Sequence, residues 1–93
     1  MTPDQQKSLD ELLPLCRLQA IMWANEDVLL HPLPLHPAKR KAILDGHLDP
    51  LVENLLAGGT PAAVVLELSN EATAAFDARV AELTVSISPP GRA

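Results

Sequence analysis

The chain has 93 residues, 47% of them hydrophobic but only 2% aromatic, and a formal net charge of −5 at pH 7. That apolar content excludes a disordered chain, and the length fits one small packed domain with a thin stability margin. The acidic balance argues against holding a nucleic-acid backbone by bulk electrostatics, and a lone cysteine cannot form an internal disulfide.

With Trp23 and Phe76 the only aromatic residues, the core has to be aliphatic. Leu and Ala dominate it, and both favour helices over sheets. The N-terminus has no charged segment followed by an apolar one, so no secretion signal is expected. Arg17, Gln19 and Asn25-Glu26-Asp27 interrupt the best apolar run below membrane-spanning length. The expectation is a soluble cytoplasmic protein.

Thr2-Pro3-Asp4-Gln5 spells a helix start: Thr2 caps, Pro3 suits the first helical position and Gln5 completes a capping box. Ser8-Leu9-Asp10-Glu11 repeats the box. Pro14 cannot donate to the carbonyl of Asp10, and its ring crowds that turn. A kinked or restarted helix ending at Leu30 is therefore expected. Two apolar stripes run along it at 100° per residue. Leu9, Leu12, Leu13, Cys16, Ala20, Trp23 and Leu30 form a core face. Leu15, Leu18, Met22 and Leu29 form a second face, well round the helix. A helix apolar on two sides is normally covered on two sides, here by the C-terminal half or by another subunit.

His31-Pro32-Leu33-Pro34-Leu35-His36-Pro37 excludes a regular helix and favours an extended path of about 20 Å, along which Leu33 and Leu35 could pack. Pro37 opens a short helix to Leu44 that Gly46 stops. Asp49-Pro50 starts another that Gly58-Gly59 ends, with Leu48, Leu51, Val52, Leu55 and Leu56 as its apolar set. After Thr60-Pro61, Val65, Leu68, Ala72, Phe76, Val80 and Leu83 recur as one long helix requires. The alternative is a β-α-β unit, since Ala62–Leu68 is a short apolar run and Leu83–Ile87 alternates like a strand. Two strands alone make a poor sheet, which favours the helix. The expected organisation is a helical domain over residues 1–88 and a flexible tail over 89–93.

The fold class expected is all-α, with four to five helices. A Pro-broken N-terminal helix packs on a long C-terminal one, and α+β with a C-terminal β-α-β unit is the alternative. No metal spacing involves His31, His36 or His47, which read as turn or cap residues. Cys16 lies on the core stripe and reads as a buried thiol rather than a nucleophile. No serine stands in a nucleophile elbow, and Gly58-Gly59-Thr60 lacks the lysine and spacing of a phosphate loop. No enzyme activity, cofactor or metal is expected. A pocket in which a histidine meets Cys16 or a carboxylate would argue otherwise.

Lys39-Arg40-Lys41 is the one basic cluster. It could touch DNA phosphates or an acidic partner surface, but the helix that would enter a groove carries Glu67 and Glu71, which repel phosphate. The expected function is a non-catalytic protein–protein interaction regulator, of the inhibitor or antiactivator, antitoxin or adaptor kind. It would occlude a partner through Leu15, Leu18, Met22 and Leu29, as a homodimer, with Lys39, Arg40 and Lys41 as possible polar contacts. The alternative is a DNA-binding transcriptional regulator using Lys39–Lys41.

Overall fold

The computed structural model describes residues 1–30 and 36–87, apart from the side chains of residues 29 and 85–87. The expected extended path from His31 and the expected tail lie outside the described residues. Three helices account for the rest: α1 (Pro3–Leu30), α2 (Pro37–Ala57) and α3 (Ala62–Ile87). The chain is all-α, with no strand among the described residues.

The start of α1 is the capping box expected of its residues. Thr2 Oγ1 accepts from the Gln5 backbone N–H at 3.2 Å, and Gln5 Oε1 accepts from the Thr2 N–H at 3.1 Å. The second box at Ser8 starts nothing, because a helix is already running there. Pro14 does not break α1, which corrects the expectation of a Pro-broken helix. Pro14 and Asp10 are both exposed, so the carbonyl that loses its donor lies on the side where water can replace it.

The middle of the chain departs further from expectation. One helix, α2, replaces the two short ones, and Gly46 and Pro50 both lie inside it. Pro50 sits one turn after Gly46, so its ring crowds the carbonyl of that residue. Gly46 is exposed, and a Cβ there would meet nothing within 4 Å. Continuity is supported by Leu44, Leu48, Leu51 and Leu55, which follow one another at helical spacing on both sides of Pro50. All four pack into the core, and breaking the helix would take half of them off it. The apolar stripe outweighs the local stop signals, and among the described residues the helix count falls to three.

His36 caps α2, its Nδ1 accepting from the Ala38 N–H at 3.2 Å. At the other end the Gly59 N–H donates to the Leu56 carbonyl at 3.1 Å and the Thr60 N–H to the Leu55 carbonyl at 2.9 Å. Gly59 has φ +90°. That pair of bonds with a left-handed residue is a Schellman stop, so Gly58-Gly59 ends the helix as the sequence indicates.

The β-α-β alternative for the last third is overturned. Residues 62–87 form one helix that buries Val64, Val65, Leu68, Ala72, Phe76 and Val80 along one side. Two short strands would have left that side without a sheet to join.

Two cross-links set the topology. Arg17 Nη2 donates to Glu71 Oε2 at 3.0 Å and Arg79 Nε donates to Asn25 Oδ1 at 2.8 Å, each spanning 54 residues. The same offset at two levels means that α1 and α3 run parallel. The start of α2 lies beside the late part of α3, where Arg40 meets Asp77 at 3.4 Å, while Leu55 reaches the cluster of Val64 and Leu68. Helix α2 is therefore antiparallel to both. Helices α1 and α3 make most of the inter-helix contacts. Ala20, Ala24 and Ala72 are fully buried among them, and small side chains let helices approach closely. Phe76, also fully buried, is the largest group in that core. The bundle measures 52 × 22 × 17 Å with a radius of gyration of 15.2 Å, against about 12 Å for a compact chain of this length.

Candidate interaction face

The inner side of α1 carries Leu9, Cys16, Ala20 and Ala24, all buried, with Leu12, Leu13 and Trp23 packed against the two core clusters. Leu30 was expected on that side but is 75% exposed, at the helix end. Burial pushes the Cys16 thiol up from its usual range, which keeps it protonated and unreactive.

The second stripe stays open. Leu15, Leu18 and Met22 are 63%, 56% and 46% exposed, so this chain's described residues leave them uncovered. Leu29 falls in the last turn of α1, with its side chain outside those described. Glu11 and Glu26 continue the stripe at its two ends, four residues before Leu15 and four after Met22, and Asp4 lies two turns before Glu11. All three are exposed, and among the described residues none joins an ion pair. The nearby cation Arg17 is turned to the other flank, where it pairs with Glu71. The exposed face is thus aliphatic in the middle and acidic at both ends.

Two of the three residues of the basic cluster are engaged within the fold. Lys41 Nζ meets Asp45 Oδ2 at 2.9 Å, and the hydrogen bond and charge of Asp45 raise the Lys41 pKa. Arg40 holds Asp77, and Lys39 is exposed. Arg40, Lys41, Asp45 and Asp77 line a cavity of about 250 Å³ between α2 and α3 together with Pro37, Leu44 and Thr73. Its charges close on one another in two ion pairs, and this leaves no net charge to attract a charged ligand.

One cluster escaped the sequence reading. The His47 ring stacks on Trp23 with centroids 4.8 Å apart and planes 7° from parallel. Its Nε2 lies 3.3 and 3.5 Å from the two carboxylate oxygens of Asp27. A carboxylate oxygen accepts in this pair, so Nε2 carries the hydrogen. Asp27 is 5% exposed, the one charged residue among the buried ones described. The signal was available: Asp27 follows Trp23 by one turn and Cys16 by three, so it falls on the core stripe. A histidine does meet a carboxylate here, but neither residue lines the cavity, and Cys16 belongs to the other core cluster. The arrangement joins α1 to α2 by a stack and a charge-assisted hydrogen bond.

Among the described residues no three His, Cys, Asp or Glu side chains are grouped to hold a metal ion, and no helix is long and apolar enough to cross a membrane. No protein-family model, curated protein or solved structure matches the chain.

Proposed function

We propose that this protein is a non-catalytic interaction module. It would dock the Leu15–Leu18–Met22 face of α1 against a helix and so occlude the surface to which that helix belongs. The observation that carries this reading is the exposure of three large aliphatic side chains at i, i+3, i+7 spacing on a helix whose other side is fully used in the core. Helix-in-groove recognition uses anchors at that spacing. Aliphatic residues gathered on one face of a small protein usually mark an interaction site. The regulator classes expected from the sequence all fit such a face. Either a second copy of the chain or a helix of a different protein could fill it.

The test is site-specific photo-crosslinking in the native host, with the reactive group placed at Leu18 in one variant and at the exposed Ala74 of α3 in another. Adducts of defined mass are expected from the first position and not from the second. Equal labelling from both would remove the face from consideration.

The DNA-binding alternative has less support. Arg40 and Lys41 are already paired with acids of their own chain. Releasing them to phosphates would leave Asp77 and Asp45 facing the DNA.

A further inference from the structure

Resting on the reading of the α1 face as a docking surface, we infer that its occupant is a basic amphipathic helix: a short aliphatic stripe with Lys or Arg at both ends. The inference comes from the charges that bracket the face. Glu11 and Glu26 are 15 positions apart, about 22 Å along the helix, and Leu15, Leu18 and Met22 lie between them. Both acids are exposed, and neither joins an ion pair among the described residues. Asp4 extends the acidic end, and Lys7, one turn before Glu11, is the single cation near it.

A second copy suits this pattern poorly. Antiparallel pairing centred between Leu15 and Met22 sets each Glu11 beside Glu26 of the other copy. Parallel pairing sets each glutamate beside its equivalent. Like charges meet at both ends in either arrangement, which is unfavourable around a small apolar patch. A helix with cations about 22 Å apart removes both repulsions and places its own Leu, Ile or Met residues on the stripe.

The experiment uses the full chain and two labelled helical peptides of equal length. Each has Leu at i, i+3 and i+7, and the flanking residues are Lys in one and Glu in the other. Fluorescence anisotropy at 0.15 M NaCl should show the Lys peptide binding about tenfold tighter, from two exposed pairs gained and two repulsions avoided. The preference should shrink at 1 M NaCl, where the screening length falls to about 3 Å. The double variant Glu11→Lys with Glu26→Lys should reverse it. Asp49→Lys with Glu53→Lys, the same change in net charge at exposed sites on α2, should preserve it.

If the two peptides bind equally, or if the α2 variant shifts the preference as much as the α1 variant, the inference falls while the docking face stands. A dimer in sedimentation that Leu18→Glu dissociates, with circular dichroism unchanged, would assign the face to a second copy and likewise overturn it. If Leu18→Glu, still folded, binds both peptides as the parent does, the face itself is wrong.

Discussion

Asp27 is the residue with the most at stake. A buried carboxylate costs several kcal/mol unless it is paired and hydrogen-bonded, and among the described residues the side-chain partner of Asp27 is His47. Replacing His47 by Ala removes that partner and uncovers one face of Trp23. The expected loss is about 2–3 kcal/mol of unfolding free energy, the range for a buried polar group left without its partner. His47→Gln offers a neutral donor and should recover part of it. Urea titration measures both, and Trp23, as the only tryptophan, reports locally: its emission should move to the red in His47→Ala. If stability is unchanged, the pair is incidental. Cys16 shows the opposite case. Its neighbours are aliphatic and burial keeps the thiol neutral, so it behaves as a small apolar side chain.

At the scale of the element, two glycines that the sequence reads as stops, Gly46 inside α2 and Gly59 just past its end, behave differently. Gly59 has φ +90°, a conformation that side-chain-bearing residues adopt only with strain. Gly59→Ala should destabilise by about 1 kcal/mol. Gly46 is helical, exposed and open where a Cβ would go. Gly46→Ala should stabilise by about 0.5–1 kcal/mol, the difference in helix propensity. Thermal unfolding of the two variants should therefore move in opposite directions. A loss of stability in Gly46→Ala would mean that the turn around Pro50 needs its freedom. Locally, Gly46 and Asp49-Pro50 look as much like a helix boundary as Gly58-Gly59 and Thr60-Pro61 do. What distinguishes them is that the leucine stripe continues across the first and stops at the second.

For the whole molecule, the decisive feature is how closely α1 and α3 approach. Ala20, Ala24 and Ala72 are fully buried between the helices, so there is no room for larger groups. Ala72→Leu should push the helices apart and cost about 1–3 kcal/mol by overpacking, read as a lower denaturant midpoint. An unchanged midpoint would show that the seam is loose. Because α1 and α3 are parallel, their contact runs along both of them, and a bundle this narrow shields only one side of each. The opposite side of α1, with Leu15, Leu18 and Met22, is left over for that reason.

The amino-acid pattern alone determined that the chain is helical, where it caps at Thr2 and Gly59, that α1 has a core side through Cys16 and Ala20, and that a second apolar stripe exists beside it. These are local properties, set by backbone preference and by which residues recur every three or four positions. Only the tertiary structure decided the rest. It carried α2 through Pro50, because burying one leucine stripe outweighs two local stop signals. It joined Asp27 to His47, whose pairing spans 20 residues and leaves no periodic trace. It also left the second stripe exposed, because coverage depends on where the other helices lie, and two helices packed on the same side of α1 cannot enclose its other side.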